Sequence, residues 1–318
     1  MNFCPSQCKC HPACFARHAV LASGACACGI ARVSEVDAAD TAAYDRWLHS
    51  GNNADMQYME RNRPVRVDPA MLHEGSRTVI AAAFNYRPDR HSAYFADYAL
   101  GADYHQVLKQ RLGEAAEALC RRFGGSSRVV VDSAPMRERY WAQQAGIGFV
   151  ADNGMLCVPG FGMAVVLGFI LWTGEARPDT PSTGECLHCG RCRRACPGGA
   201  LGPDGQLDAR RCLSYLTIEH RGEFPADMPP MPKVYGCDNC RRSCPLDCGP
   251  ATDIPEFAPV AEIMDLTPED MAELGPGRFR GIFGPTAVSR LRVQGLRRNA
   301  RRFIEGLRTA ESRFPNIC

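Results

Sequence analysis

Short apolar runs punctuate an otherwise polar chain. TVIAAAFNY from Thr78 and SRVVVDSAP from Ser127 are rich in valine and alanine and bounded by turn formers, which predicts buried strands. Between them, QVLKQRLGEAAEALCRRF places Val107, Leu108, Leu112, Ala115, Ala116 and Leu119 at three- and four-residue steps, the stripe of an amphipathic helix. The run from Gly162 to Gly174 is too continuously apolar for a strand with one wet face, so it predicts a central strand. Strand, helix, strand predicts an α/β (α+β) layer. No run reaches the roughly 18–20 uninterrupted apolar residues of a membrane helix, and the chain opens on no export signal; both predict a cytoplasmic protein with no membrane partner.

Proline-rich joints divide the 318 residues: RPDTPSTG near Arg177, and FPADMPPMPK further on. They predict a cysteine-rich leader (1–28), an α/β domain (29–178), a cysteine-motif domain (179–250) and a helical, arginine-rich tail (251–318). The net charge of +2, from 37 basic and 35 acidic residues, neither demands nor excludes a polyanionic partner. Its distribution adds more. From Arg278 to Arg313 the chain carries ten arginines against Glu305 and Glu311. Arg297, Arg298, Arg301 and Arg302 sit at helical spacing, where planar guanidinium forks suit phosphate contacts; the alternative is a solvated amphipathic helix.

Eighteen cysteines in a chain without an export signal favour metal ligation over disulfides. CLHCGRCRRACP, from Cys186, has the C-x2-C-x2-C-x3-C-P spacing of bacterial ferredoxins, in which the fourth thiolate crosses to a second cube. Crossover assigns Cys186, Cys189, Cys192 and Cys244 to one [4Fe–4S] cluster, and Cys237, Cys240, Cys212 and Cys196 to another. Zinc has no use for a compact four-cysteine run closed by proline, and two-residue gaps would strain a disulfide. His188, inside the first run, reads as a solvated loop residue. In the leader, Cys4, Cys8, Cys10 and Cys14 lie near His11, with Cys26 and Cys28 following; gaps of three, one and three match no zinc template, and the segment reads as redox-sensitive.

Two cubes pass single electrons, and a preceding domain more than twice their size predicts an acceptor bound there. QAGIGFVADNG has Gly146 and Gly148 but lacks the third glycine of a dinucleotide loop. DYHQVL at Asp103 begins like the D-x-H-x-x-G loop of corrinoid proteins but lacks its glycine, which predicts that any corrinoid binds without a protein histidine below cobalt.

Seven stretches in order, from DMQYM at Asp55 through YALGADYHQVL, VDSAP, ERYWAQQAGIG, the ferredoxin run and DARRCLSYLTIEHRGEFP to YGCDNCRRSCP at Tyr235, resemble the epoxyqueuosine reductases. That resemblance implies a corrinoid-binding α/β domain, two [4Fe–4S] clusters and a basic surface for the anticodon region of tRNA. The implied reaction reduces epoxyqueuosine to queuosine at the wobble position, the last step of queuosine biosynthesis, with cobalamin and an external low-potential electron donor. It makes Asp132 the general acid, a role suited to a carboxyl whose apolar strand raises its pKa. It makes Met56, Tyr104, His105, Asn153, Tyr215, Thr217 and Asp238 cofactor or substrate contacts. The chain departs from the family at GFVADNG, where GWIGKN is usual, and at CPLD, where CPWN is common. Two alternatives are a corrinoid reductase of another substrate, such as a dehalogenase, and a non-catalytic electron carrier.

Overall fold

The computed structural model describes residues 11–203 and 205–313. In chain order, the elements that position the site are helix α1 (Pro12–Ala22), strands β1 (Ala27–Arg32) and β2 (Thr78–Asn85), helix α2 (Tyr104–Phe123), strand β3 (Ser127–Val130), helix α3 (Glu138–Gln144), strand β4 (Val165–Trp172), and helices α4 (Arg191–Arg194), α5 (Leu213–Ile218), α6 (Asn239–Arg242) and α7 (Arg292–Arg313). The four strands form one antiparallel sheet in the order β1-β2-β4-β3. The run read as a central strand is indeed central, and the layer is of the α+β kind.

All eight residues of β2 are buried because both faces of the sheet are covered. Side chains alternate along a strand. Ile80, Ala82 and Phe84 therefore face α1 and α2, alongside Ala16, Val20, Leu108 and Leu112, while Val79, Ala81 and Ala83 pack with Trp141 and Ala142 of α3. The stripe on α2 is buried at all six expected positions. Asp103 starts this helix by accepting a hydrogen bond from the His105 amide, and Gly124, at φ +76°, ends it. Gly168 of β4 lets α2 approach; a Cβ there would lie 2.5 Å from Leu112 Cδ1.

Two expected boundaries move. Residues 11–28 are part of the α/β layer: α1 packs on α2, and β1 pairs with β2 from Ala27 onward. Apolar burial explains the difference, since Val20 and Ile30 are fully buried. Cys4, Cys8 and Cys10 lie outside the described residues. Nor do the described residues of the 251–318 segment form a separate tail. Phe279, Phe283, Leu291, Leu296 and Phe303 share one core with Leu213, Leu216, Val234 and Tyr235 of the cysteine-motif segment, and with Phe95 and Leu100 of the first block. Among the described residues, no helix is long and apolar enough to cross a membrane.

Candidate active site and cluster loops

Where β3 leaves the sheet, the chain turns sharply at Asp132, whose φ of +38° is rare for a residue with a Cβ. The Asp132 amide donates to Glu138 Oε1 at 2.7 Å, so the first residue of α3 holds the turn. The Asp132 carboxylate meets the start of α2, where His105 Nε2 lies 2.8 Å from Oδ2. The other ring nitrogen, Nδ1, lies 2.6 Å from Asp103 Oδ1, and the Tyr104 ring stacks on the imidazole at 4.1 Å between centroids. The result is a line, Asp103–His105–Asp132, with Tyr104 also hydrogen-bonded to Asp132.

Electrostatics distributes the protons. Burial opposes charge on His105, but its bonds to Asp103 and then Asp132 outweigh burial and push it up to about 9. Burial likewise opposes charge on Asp132, and the His105 hydrogen bond wins, holding that carboxyl below its ordinary range. This corrects the expectation that the apolar strand would raise Asp132: a cation stands beside it. The raised carboxyl is Glu138, which burial and then the Asp132 charge push up to about 7. At neutral pH the site therefore holds an imidazolium, an ionised Asp132 and a partly protonated Glu138. Asp132 keeps 51% of its side-chain surface open. Tyr58 and Arg290 are close enough to feel its charge, and Arg290 is itself bonded to Glu219 at 2.7 Å.

From here a series of tyrosines, partly buried at Tyr104 and Tyr98 and fully at Tyr235, runs toward the cysteines. The Tyr104 and Tyr98 rings lie 6.0 Å apart, and the Tyr98 hydroxyl donates to that of Tyr235 at 3.3 Å; Tyr235 is two residues before Cys237. The eight expected cysteines fall into two spatial groups. Cys244 is near Cys186 and Cys189, and Cys192 is near Cys186. Cys237 and Cys240 are near Cys212 and Cys196. All eight are free thiols, and one cavity is lined by Cys186, Cys189, Cys192 and Cys244 together with Leu187 and Leu246. The last cysteine of each run thus lies with the other run's group, as crossover requires. Two such thiol groups fit two cubes.

Beneath the second run sits a buried ion cluster that joins it to the α/β layer. Arg241 of α6, 1% exposed, binds Asp97 and reaches Asp247 Oδ2 at 2.7 Å. Asp247 also takes Arg87 at 2.7 Å, and Asp238 accepts from the Asp97 amide. Asp247 is the aspartate of CPLD, so that departure supplies a charge which two arginines neutralise.

Several expected contacts are occupied elsewhere. Thr217 is fully buried; its hydroxyl donates to the Leu213 carbonyl and accepts from the Gly236 amide. Asn153 donates to the Cys240 carbonyl at 3.2 Å and accepts from the Met155 amide, and Asp238 belongs to the ion cluster. These three side chains tie loops together and present no free polar atom to a cofactor, because the cysteine loops need their backbone groups satisfied. Tyr215 donates to Asp55 Oδ2 at 2.8 Å, and Met56, half-buried, packs on the tail core beside it. The arginines of α7 require a similar correction. Arg298 donates to the carbonyls of Leu216, His220 and Gly222 and lies 4.2 Å over the Phe224 ring; Arg297 donates to the Leu274 carbonyl. Both fasten the helix to the body. Arg301 stays 59% exposed and Arg302 33%. Asp103, Glu138, Tyr58 and Arg290 were not foreseen. Asp103 carries the signal of an N-cap before a helical stripe, whereas Glu138 binds a backbone amide and leaves no pattern.

Two thiol quartets joined by a tyrosine series to an acid–base line define an iron–sulfur oxidoreductase. A family model for a 4Fe-4S double cluster binding domain matches residues 185–247, and one described as Epoxyqueuosine reductase QueG, DUF1730, matches residues 66–133. An epoxyqueuosine reductase of Cellulophaga algicola is 30% identical over 293 residues, spanning 87% of this chain and 92% of that one. A crystal structure of epoxyqueuosine reductase with an epoxyqueuosine-modified tRNA-Tyr stem loop superposes with TM-score 0.82 at 27% identity, over 94% of this chain and 82% of that one. The Bacillus subtilis enzyme, described with its aspartate catalytic loop swung out of the active site, gives TM-score 0.81 at 26% identity over the same shares. The chain belongs to the epoxyqueuosine reductase family.

Proposed function

We propose that this protein reduces the epoxide of epoxyqueuosine in tRNA to the alkene of queuosine, with Asp132 and His105 delivering protons at the departing oxygen. The observation that carries this reading is the Asp103–His105–Asp132 line ending on a half-open carboxylate. Epoxide opening generates an alkoxide, and its loss as water takes two protons with two electrons. His105 Nε2–H stands in line to Asp132 Oδ2, so the ionised carboxylate takes the imidazolium proton and hands it to the departing oxygen. Asp103 keeps the imidazole charged and in register, and Glu138 holds the Asp132 turn and stores a further proton.

Cys186, Cys189, Cys192 and Cys244 would hold one [4Fe–4S] cluster, and Cys237, Cys240, Cys212 and Cys196 the other. A corrinoid beside Tyr104 and Asp132 would supply low-valent cobalt chemistry to the epoxide. The donor set fits a corrinoid without a protein ligand from this loop, since both nitrogens of His105 are engaged. Arg66, near Tyr58 and Glu138, has a buried Nε with no protein partner, which suits a polar ligand group at that edge. The stem loop bound by the solved relative supports tRNA as partner, with Arg301 and Arg302 exposed toward phosphate, and a tRNA substrate supports a cytoplasmic location.

The test is anaerobic reconstitution with iron, sulfide and cobalamin, a low-potential reductant, and mass spectrometry of digested epoxyqueuosine-tRNA. Wild type converts and Asp132→Asn loses at least a hundredfold in rate; equal rates would overturn the role of Asp132, and no conversion by wild type the reaction itself.

A further inference from the structure

The two thiol groups differ in how they meet solvent. Cys189 is the one exposed thiol of the eight; Cys212, Cys237, Cys240 and Cys196 are all at least half-buried, and Cys237 adjoins the tyrosine series leading to Asp132. Around Cys189 the surface is both apolar and basic. Leu187 is 58% exposed, and an open cleft is lined by His188, Cys189, Gly190, Arg193, Arg194 and Leu201. Arg191 and Arg193, both exposed, have no ion-pair partner among the described residues. Arg194 donates to the Cys189 carbonyl at 3.1 Å. Of the nearby acids, Asp152 is taken up by His188 at 2.9 Å, which leaves Glu185.

Resting on the cluster assignment proposed above, we infer that this face, Leu187 with Arg191 and Arg193 around Cys189, docks an acidic one-electron carrier protein. Charge complementarity selects the partner: net charge is only +2 over the whole chain, so this is a local basic rim around an apolar centre. A redox encounter needs close approach of two cofactors and a small, short-lived interface, which an exposed leucine beside a surface thiolate loop supplies. One electron passes per encounter, oxidising the carrier's reduced centre and reducing the first cube; two encounters serve one epoxide.

The probe is a reduced plant-type [2Fe–2S] ferredoxin, presented to the full-length, iron-loaded protein. Kd is measured at low and at moderate salt, and cluster bleaching is followed by stopped flow with ferredoxin and, separately, with dithionite. R191E/R193E should raise Kd at least tenfold, flatten its salt dependence and slow bleaching by ferredoxin to match, while iron content and bleaching by dithionite stay at wild-type levels. Leu187→Asn should shorten the complex lifetime without altering the salt dependence. Unchanged Kd and rate on loaded protein would overturn the inference, as would a loss of stem-loop RNA affinity with ferredoxin binding intact, which would make the face an RNA surface. Wild-type protein that takes up no cubes would instead overturn the cluster assignment beneath it.

Discussion

Asp103 can be changed with little disturbance of shape, which makes Asp103→Asn the sharpest probe of the proton line. Asparagine still caps α2 and still accepts from His105, but it removes one of the two negative charges facing the ring. An ordinary histidine titrates near 6.5, and His105 is pushed up to about 9. That difference corresponds to ~3 kcal/mol in favour of the imidazolium. The two carboxylates do not share it equally. Asp103 is 23% exposed and lies at 2.6 Å, whereas Asp132 is 51% exposed at 2.8 Å and more screened by water. Loss of the Asp103 charge should therefore remove rather more than half, lowering the His105 pKa by about 1 to 2 and stability by ~2 kcal/mol at pH 6. Because the folded-state value is raised, this stabilisation is fully present below about 6.5 and disappears as pH rises through about 9. The gap between wild type and variant should close over that window. NMR titration of 13Cε1-labelled histidine reads the pKa, and thermal unfolding across pH reads the gap. A wild-type His105 titrating near 6.5, or a stability gap independent of pH, would refute the reasoning.

Arg241→Ala leaves Asp97 and Asp238 without their shared cation and Asp247 with Arg87 alone, and should destabilise the protein by about 3–5 kcal/mol in denaturant unfolding, with loss of iron from the second run. Arg298→Ala, by removing three carbonyl bonds and the Phe224 contact, should cost about 2 kcal/mol while leaving the salt dependence of stem-loop binding unchanged; a reduced slope would return Arg298 to the RNA surface. Cys212→Ala should lose about half of the iron. Cys157→Ala, a buried thiol beside the first group but outside the ferredoxin spacing, should retain all of it; equal losses would show that the spacing does not define the ligands.

Local pattern was enough wherever one stretch of chain carries its own periodicity. The six buried positions of α2, the fully buried β2 and the central place of β4 follow from alternation and spacing, because burial on two faces requires a nearly continuous apolar run and burial on one requires a stripe. The eight candidate thiols follow from spacing too, since two-residue gaps bring the thiolates of one tight loop to one cube and send the last cysteine of the run to its neighbour. Strand β1 went unseen because Cys28 and Gly29 disguise it, and Gly29 is needed where a Cβ would strike the Ala145 carbonyl.

The sequence by itself determined the cysteine chemistry, the helix and strands of the α/β layer, and Asp132 and His105 as residues to watch. Only the tertiary structure decided who faces whom. It set His105 between two carboxylates and so kept Asp132 ionised, raised Glu138 in its place, turned Arg298 inward as a fastening, and drew residues from 260–304 into the core under the second cysteine run. These outcomes depend on neighbours distant in sequence: a pKa, an exposed patch or a satisfied carbonyl belongs to a place in space, and spacing along the chain encodes it only when the partners are local.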